Sequence, residues 1–417
     1  MQKKEIVLFH SKSNCCGCGA CLNSCPKNAI SMKEDSYGNV FPEIDGELCV
    51  QCGKCVSVCS YQKDAEGQLP VKVYAAAAKE DAILKNSSSG GVFAVLANKV
   101  LDQSGVVFGC AAEYSEKTGI HTHHIMVEDR SALGKLQGSK YVKSDVELCY
   151  REVLRQLKNG RMVLFSGTPC QVDGLNGFLG GKQYDNLITV DIICHGVPGE
   201  KLFRDYLAEE EKHLGMRVCG FDFRSKENGW GSFAFVEHCK TADGRERKQM
   251  KFARRSSYYW MFLKGASYRD NCYSCKYAGK RRFSDLTIGD FWGIEEMHSE
   301  YLQNGQLNPK KGISCILANS EKGRSFLGKC WEEMTLLDSS FDAAAKANGQ
   351  LNAPTKRHES RDAVMELYRQ NGYGAVDKWY QKHLGVKYYL YQLWDCVPGS
   401  WRTGIKKTVK KIKGGLH

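Results

Sequence analysis

Eight cysteines near the amino terminus form two runs with the same spacing. The first run is Cys15-x2-Cys18-x2-Cys21-x3-Cys25, and the second is Cys49-x2-Cys52-x2-Cys55-x3-Cys59. In this pattern three closely spaced thiolates hold one cubic iron–sulfur cluster, and the fourth cysteine ligates the cluster of the other run. The spacing therefore predicts two 4Fe–4S clusters, one held by Cys15, Cys18, Cys21 and Cys59, the other by Cys49, Cys52, Cys55 and Cys25.

Structural zinc is the alternative interpretation of these runs, because all-cysteine zinc sites also pair cysteines two residues apart. Zinc ribbons do not need two four-cysteine runs in tandem, so the spacing favours iron–sulfur clusters. Cys16 fits no ligand position. We predict a two-cluster ferredoxin-like domain over residues 1–66, with short strands at 29–32 and 40–44.

Composition limits the class of protein. The chain has 417 residues, of which 42% are hydrophobic, so we expect two to three folded domains and exclude wholly disordered or collagen-like proteins. The first ten residues are too charged for a signal peptide, and no apolar run approaches the roughly 20 residues of a membrane span. We therefore expect a cytoplasmic protein whose 20 cysteines serve metal or redox chemistry rather than disulfides.

The positive charge of the chain is concentrated at one end. The formal net charge is +12, and residues 402–417 contain six basic residues and no acidic one. We therefore predict no nucleic-acid partner. In the same segment Ile405, Val409 and Ile412 share a helical face opposite the lysines, which indicates either a helix at the inner face of an anionic membrane or a solubilising tail.

Strands and helices alternate beyond a linker at residues 67–70. Strands are predicted at 71–77, 162–166, 187–193 and 285–288, and helices at 92–101, 146–157 and 198–214. This order predicts an α/β fold. The ferredoxin-like domain and an antiparallel insertion around residues 221–244 make the whole chain α+β.

Four further cysteines follow these elements. Cys170 and Cys194 come at the carboxyl ends of predicted parallel strands, where open α/β sheets place their ligands. Cys272-x2-Cys275 is half a metal site. We predict that the four thiolates hold a third 4Fe–4S cluster. The alternative is that Cys170 and Cys194 are small buried hydrophobic residues.

Two other groups of residues have the types that bind ligands. Residues 87–91 read Ser-Ser-Ser-Gly-Gly before a predicted helix, so they form either an anion site or only a helix cap. His121, His123 and His124 lie on a short alternating strand. We expect them to face solvent; a metal site is the alternative, which the lack of a second group of ligands in the sequence disfavours.

Five strings resemble the coenzyme F-420 hydrogenase/dehydrogenase beta-subunit family. In chain order they are Ser87-Ser-Ser-Gly-Gly-Val-Phe93, Gln137-Gly-Ser-Lys-Tyr-Val142, Phe165-Ser-Gly-Thr-Pro-Cys-Gln171, Asp191-Ile-Ile-Cys-His-Gly-Val-Pro198 and Asp285-Leu-Thr-Ile-Gly-Asp-Phe-Trp-Gly293. The resemblance spans about residues 71–317. It implies an FAD enzyme whose flavin lies beside a 4Fe–4S cluster. Relatives include the subunit that reduces the deazaflavin coenzyme F-420 and ferredoxin-dependent reductases of chlorophyll metabolism.

The resemblance also implies roles for single residues. The residues implied to contact FAD are Ser88, Ser89, Gly90, Gly91, Gly138, Ser139, Lys140 and Tyr141. Thr168 would lie near the ring system. His195 would be a proton donor beside the flavin or would hydrogen-bond a cluster ligand, and Asp290 would be structural or face the cofactor. The predicted boundaries are 71–150 and 151–335 for the two parts of the family domain and 340–417 for a helical, basic tail.

These features predict an iron–sulfur flavoprotein oxidoreductase. Electrons would come from a low-potential donor such as ferredoxin, or another redox protein, and would reach a small-molecule substrate through the clusters and FAD. Two alternatives stay open: an electron-input subunit that uses coenzyme F-420 in a larger hydrogenase or dehydrogenase, and a non-catalytic iron–sulfur electron-transfer or redox-sensing module. No G-x-G-x-x-G follows a predicted strand, so the sequence offers no motif that would indicate direct binding of NAD.

Overall fold

The computed structural model describes residues 6–64 and 66–397. These residues form thirteen strands and fifteen α-helices. The strands are β1 (Ile30–Glu34), β2 (Val40–Ile44), β3 (Lys72–Ala78), β4 (Val106–Ser115), β5 (Gly119–Val127), β6 (Val163–Gly167), β7 (Leu187–Ile192), β8 (Arg217–Ser225), β9 (Ala234–Lys240), β10 (Glu246–Phe252), β11 (Leu286–Asp290), β12 (Ser314–Ala318) and β13 (Met334–Ser339). The helices are α1 (Ala20–Ser24), α2 (Lys54–Ser57), α3 (Asp81–Lys85), α4 (Val92–Leu101), α5 (Cys149–Lys158), α6 (Pro169–Phe178), α7 (Glu200–Leu214), α8 (Ser257–Lys264), α9 (Ile294–Met297), α10 (Ser299–Gln303), α11 (Glu321–Gly328), α12 (Phe341–Lys346), α13 (Arg361–Asn371), α14 (Tyr373–Leu384) and α15 (Val386–Cys396).

An eight-stranded mixed sheet forms the centre of the protein and confirms the predicted α/β class. Its strand order is β13-β3-β12-β11-β7-β6-β4-β5. The four strands β11, β7, β6 and β4 are parallel, and antiparallel strands extend the sheet on both sides. The apolar runs of the parallel strands explain their position, because Val163, Leu164 and Phe165 of β6 are fully buried between layers of helices.

The carboxyl ends of β6, β7 and β11 meet at one edge of this sheet because the three strands are parallel. Helix α6 begins directly after β6, where Thr168 and Gln171 form a reciprocal capping box and Pro169 occupies the first turn. The chain after β7 carries Cys194 and His195. This edge of the sheet therefore holds the cysteines that the sequence analysis placed at strand ends.

The amino-terminal domain packs against helix α6. Its β1–β2 hairpin and the helices α1 and α2 repeat one plan, in which a left-handed glycine, Gly19 or Gly53, precedes each helix. The hydroxyl of Ser60 donates to the backbone carbonyl of Asp173 at 2.8 Å. A side chain at Gly177 would lie 2.3 Å from the carbonyl of Val58, so the two domains are in close contact.

The antiparallel insertion forms a separate three-stranded sheet in the order β10-β9-β8. Its strands are longer than the predicted ones, and they pack with helices α7 and α8 around an aromatic core. The rings of that core include Phe203, Tyr206, Phe221, Phe223, Tyr258 and Tyr259. Strand β8 of the insertion contacts β4 and β5 of the main sheet.

The expectation that three histidines face solvent is wrong. They lie on β5, which pairs with β4 and is covered by α7. His124 is 5% exposed, its Nε2 lies 3.1 Å from the carbonyl of Ser166, and burial lowers its pKa to about 4. His121 and His123 are half-buried on the other face of the strand.

Contact with a membrane depends on the helices of the chain and on its carboxyl-terminal segment. Within the described residues no helix has both the length and the apolar character that a membrane span requires. The predicted amphipathic segment at residues 402–417 lies outside the described residues, so both interpretations of it stay predictions.

Candidate functional site

The first set of thiols in the amino-terminal domain contains Cys15, Cys18, Cys21 and Cys59. Burial raises the pKa of Cys15 to about 11, and the neighbouring Cys18 and Cys59 contribute. Burial also raises the pKa of Cys21, with contributions from the other three members of the set. The structure thus brings together cysteines from both sequence runs in the crossed pattern of a two-cluster ferredoxin.

The second set of thiols lines one pocket with apolar walls. Cys25, Cys49, Cys52 and Cys55 all border it, beside Ile30, Ile44 and Val50. Burial raises the pKa of Cys55, and Cys49 and Cys25 raise it further. The backbone N–H of Ala29 donates to the sulfur of Cys25 at 3.2 Å, a contact that stabilises a thiolate.

The third set of thiols lies at the carboxyl edge of the main sheet. Burial raises the pKa of Cys194 well above its ordinary value, and Cys272, Cys170 and Cys275 act in the same direction. Burial likewise raises the pKa of Cys272 to about 12 and that of Cys275 to about 11. Four sulfurs from three distant stretches of the chain therefore lie close enough to interact.

Cys16, for which the sequence indicated no role, lies between the first and third sets. Its thiol lies beside the thiols of Cys170 and Cys18, and both neighbours raise its pKa. The neighbouring thiol of Cys16 lowers the pKa of Cys170 and also that of Cys18. No spacing rule distinguishes Cys16 from its neighbour Cys15, so only the fold reveals this contact.

Two buried cations accompany these sulfurs. Lys143 is 4% exposed, and its ammonium has no hydrogen-bond partner among the described residues. It lies near Cys18 and Cys170 and lowers the pKa of both. Arg269 is 1% exposed and donates to the backbone carbonyl of Cys15 at 3.2 Å. Sequence reasoning missed both residues, because basic side chains usually face solvent.

The two loops implied to contact FAD touch each other. The backbone N–H of Ser139 donates to the hydroxyl of Ser88 at 2.8 Å. Ser89 donates to the carbonyl of Ile313 at 2.9 Å, and the N–H of Gly90 donates to the hydroxyl of Ser314 at 2.9 Å. The loop at 87–91 is thus fixed against the chain before β12, with Gly91 directly ahead of α4.

Lysines lie at both loops. The ammonium of Lys140 donates to the carbonyl of Gln137 at 2.7 Å, within its own loop. The ammonium of Lys226, which the sequence analysis did not identify, donates to the carbonyls of Ser89, Leu84 and Lys311. Desolvation and the nearby Arg224 together lower the pKa of Lys226 to about 8. Gly138 is exposed, with open space beside it.

Thr168 and Tyr141 both lie near the third set of thiols. The hydroxyl of Thr168 lies 3.2 Å from the sulfur of Cys170. The ring of Tyr141 stacks on Phe262, with centroids 4.4 Å apart. The ring of His195 lies 6.5 Å from the same phenylalanine. Aromatic side chains thus pack beside Cys194 and Cys272 of the third set.

His195 and Asp290 differ in their surroundings. His195 is exposed, yet surrounding protein desolvates its ring and lowers its pKa, while Asp290 acts in the opposite direction. The carboxylate of Asp290 accepts hydrogen bonds from the buried Arg224 and, at 3.1 Å, from Trp230 Nε1. Asp290 therefore connects the insertion to the end of β11, and these contacts are structural ones.

Comparison with protein families and known proteins identifies the parts of the chain. Residues 160–341 match the carboxyl-terminal part of the coenzyme F-420 hydrogenase/dehydrogenase beta subunit, and residues 73–148 match its amino-terminal part. Residues 14–63 match a 4Fe–4S dicluster domain.

Three known proteins are similar to the chain. An uncharacterised protein of Methanocaldococcus jannaschii is 24% identical over 189 residues, which are 39% of this chain and 52% of that protein. The chain thus spans about half the length of this relative. A ferredoxin-like protein in the nif region of Sinorhizobium fredii is 39% identical over 57 residues, which are 12% of this chain and 81% of that protein. A chain of the F-420-reducing NiFe hydrogenase complex from Methanosarcina barkeri is 15% identical with a TM-score of 0.38, covering 77% of this chain and 94% of that chain.

The family matches cover the whole region of the main sheet, and the dicluster match covers the first two sets of thiols. Together they confirm the resemblance found in the sequence and the iron–sulfur electron-transfer character of the protein. The chain belongs to the coenzyme F-420 hydrogenase/dehydrogenase beta-subunit family and carries a 4Fe–4S dicluster domain ahead of the family region.

Proposed function

We propose that this protein is an iron–sulfur flavoprotein oxidoreductase with three 4Fe–4S clusters and one FAD. A low-potential donor, ferredoxin, would supply electrons to the dicluster domain, and a small organic molecule would receive them at the family domain. The observation that carries the proposal is the buried Lys143 ammonium, which has no hydrogen-bond partner among the described residues and lies beside Cys18 and Cys170.

The charge of Lys143 supports a cluster at the third set of thiols. A buried ammonium without a counter-charge costs several kcal/mol, so such groups are paired in stable proteins. A 4Fe–4S cluster carries two positive charges against four thiolates and is therefore a net anion. Cys170, Cys194, Cys272 and Cys275 are the donor set that such a cluster requires, and they fit it in number, type and proximity.

The position of Cys16 supports electron transfer between the first and third sets. Cys18 belongs to the first set, Cys170 belongs to the third, and both contact the thiol of Cys16. The thiol of Cys16 is therefore a neighbour of both sets. In the proposed function this contact is where an electron crosses from the dicluster domain into the family domain.

The loops at 87–91 and 137–141 support FAD binding at the same edge of the sheet. FAD, when bound, exchanges electrons one at a time with clusters and two at a time with organic molecules. Ser88, Gly91 and Ser139 would hold its pyrophosphate at the start of α4, where backbone N–H groups attract anions. Lys226 and Arg224 add positive charge near this loop.

Two residues support chemistry on a bound organic molecule. Thr168 lies beside Cys170, so it would contact the flavin near the third cluster. His195 follows Cys194, is exposed, and has a pKa that desolvation lowers, so at neutral pH its imidazole carries a proton on one nitrogen and can accept another. It would exchange that proton with the substrate.

Cofactor analysis of anaerobically purified protein tests the proposal. We expect about twelve iron atoms and one FAD per chain. Cys272→Ser and Cys275→Ser should each lower iron by about four atoms, whereas Cys219→Ser on β8, far from the three sets in sequence and outside them, should leave iron unchanged. Eight iron atoms and no flavin in the unaltered protein would overturn the proposal in favour of an electron-transfer module. Four zinc-bound thiolates at the third set would overturn it as well.

An assay with two electron donors tests the proposed source of the electrons. Reduced ferredoxin should bleach the flavin absorbance under anaerobic conditions, and reduced coenzyme F-420 should not. Bleaching by reduced F-420 alone would show an F-420-using subunit instead.

A further inference from the structure

We propose that His121, His123 and Glu147 form a zinc site separate from the iron–sulfur centres. The two histidines lie on β5, and the glutamate lies in the segment that precedes α5. Their ligand atoms all lie within 4.8 Å of one another. The sequence contains no second ligand group near the histidines, and only the fold brings Glu147 to them.

The distances from Glu147 to the two histidine nitrogens match those between ligands of one zinc ion. Glu147 Oε1 lies 3.5 Å from His121 Nε2 and 3.4 Å from His123 Nδ1. Zinc binds imidazole nitrogen and carboxylate oxygen at about 2.0 Å with tetrahedral geometry, which places neighbouring ligands about 3.3 Å apart. Both separations are therefore close to the value for a shared ion.

Two other carboxylates orient the imidazole rings. His121 Nδ1 lies 2.8 Å from Glu200 Oε1, and His123 Nε2 lies 3.0 Å from Glu113 Oε2. A carboxylate that accepts one ring N–H leaves the lone pair of the other nitrogen free for a metal, and metal-binding histidines in proteins generally have this arrangement. In each ring the remaining nitrogen faces Glu147.

The buried nitrogen of His123 needs a partner. His123 Nδ1 is buried and has no hydrogen-bond partner within the described residues. With Nε2 donating to Glu113, the lone pair of Nδ1 faces the Glu147 carboxylate, and two electron-rich atoms at 3.4 Å repel each other. A divalent cation between them removes the repulsion and satisfies both atoms.

Backbone contacts fix the segment that carries Glu147. The N–H of His124 donates to the carbonyl of Asp145, and the N–H of Asp145 donates to the carbonyl of Thr122, both at 2.8 Å. Glu147 has φ of 47°, a left-handed conformation that is rare for residues other than glycine. Strain of this kind is concentrated at functional sites, and here it orients the carboxylate toward both rings.

Solvent reaches this site from one side. The side chain of Glu147 is 53% exposed, and those of His121 and His123 are 35% and 19% exposed. Zinc would therefore have three protein ligands and one water. The carbonyl of Glu147 accepts from Asn23 Nδ2 at 2.7 Å, on the helix α1 that contains Cys21. The ion would thus stabilise the segment of Lys143 and Glu147 against the dicluster domain.

Zinc analysis of the anaerobically purified holoprotein tests this site. After equilibration with zinc sulfate and removal of free metal, we expect one zinc per chain in addition to the iron. X-ray absorption at the zinc edge should show nitrogen and oxygen ligands near 2.0 Å, because zinc in a cysteine site would show sulfur near 2.3 Å instead. A spectrum with sulfur ligands alone would overturn the proposal.

Matched histidine variants locate the zinc. The double variant His121→Gln, His123→Gln should bind zinc at least tenfold more weakly and keep the iron content of the unaltered protein. The control is His238→Gln, because His238 Nε2 lies 2.7 Å from Asp222 on the insertion, and within the described residues this pair belongs to no group of three possible metal ligands. Equal zinc binding by all three proteins would overturn the proposal.

A second variant keeps the zinc site testable if the double histidine variant fails to fold. Glu147→Gln keeps the size and hydrogen-bonding capacity of the side chain and removes its charge. It should also bind zinc at least tenfold more weakly, with unchanged iron. Unchanged zinc affinity in Glu147→Gln would exclude this residue as a ligand and with it the site.

Discussion

The thiol of Cys16 lies beside the thiol of Cys170, across the boundary between the dicluster domain and the family domain, and each shifts the pKa of the other. Cys16 is 3% exposed and occupies no ligand position in either of the two four-cysteine runs. Its other sulfur contact is Cys18, a member of the first set. The thiols of Cys16, Cys18 and Cys170 therefore lie together at the domain boundary, between the first and third proposed clusters.

Replacing Cys16 tests whether it is a ligand or only a contact. We expect Cys16→Ala to keep the full iron content, because the crossed pattern already gives each cluster four other cysteines. Cys18→Ala should lose about four iron atoms. The thermal midpoint of Cys16→Ala should fall slightly, since a small buried side chain is lost. A loss of iron in Cys16→Ala would show that Cys16 ligates a cluster.

Replacing Lys143 tests the proposed counter-charge. Lys143→Met keeps the length of the side chain and removes its positive charge, so adding an electron to an adjacent anionic cluster becomes less favourable. We expect the midpoint potential of the third cluster to become more negative by an amount on the order of tens of millivolts. Potentiometric titration followed by electron paramagnetic resonance measures the change.

An exposed lysine provides the control for Lys143. Lys378 lies on α14 with its side chain in solvent. Lys378→Met should leave all cluster potentials unchanged, because water screens exposed charges. Equal potentials in the Lys143 and Lys378 variants would contradict the proposed role of Lys143.

The amino-acid sequence predicted the elements whose patterns are local. The cysteine spacing predicted the dicluster domain, and short apolar runs predicted the parallel strands β6 and β7 to within a residue or two. Because carboxyl ends of parallel strands share one edge, the placement of Cys170 and Cys194 near each other also followed from the sequence. The domain boundaries and the roles of single residues at the cofactor loops stay predictions.

Features that depend on distant contacts could not be predicted. The alternation along β5 indicates one exposed face, but α7 packs beside the strand and brings Glu200 to His121, so that face is only partly exposed. Lys143 reads as a surface lysine, and only the folded chain shows that it is buried. The strands of the insertion extend beyond the predicted ones because a register shift between Val218 and Gly220 lets the pairing continue past a break in the pattern.

A methyl group at Gly174 tests the packing of the first set against α6. A side chain there would lie 2.8 Å from the Cβ of Cys18 and 2.9 Å from its sulfur. Gly174→Ala should therefore displace Cys18 and lower the iron content by about four atoms. Iron analysis with spectra of the two remaining clusters measures the loss.

Gly328 gives a matched control for this substitution. It also lies in a helix, α11, and a side chain there would meet no atom within 4 Å. Gly328→Ala should keep all iron and raise the stability slightly, because alanine favours the helix. Full iron in Gly174→Ala would show that α6 and the first set are less tightly packed than the contact distances indicate.

The ionisation of Asp377 makes the stability of the folded protein depend on pH. Burial raises the pKa of this carboxyl to about 6, Ser257 opposes the shift by donating a hydrogen bond, and Glu210 adds to it. In the unfolded chain the pKa of an aspartate is about 3.9, so the folded protein loses stability as the pH rises from about 4 to about 6. Above that range the folded state holds a charge that burial disfavours.

Asp377→Asn removes the charge and keeps an oxygen that accepts from Ser257. We expect the variant to be more stable than the unaltered protein by about 1–2 kcal/mol at pH 7.5, and we expect this gain to shrink toward zero as the pH falls to about 4.5. Thermal midpoints of both proteins at each pH measure the difference. A gain that is equal at both pH values would mean that the carboxyl does not titrate between them, and a lower midpoint at pH 7.5 would mean that the charged form of Asp377 stabilises α14.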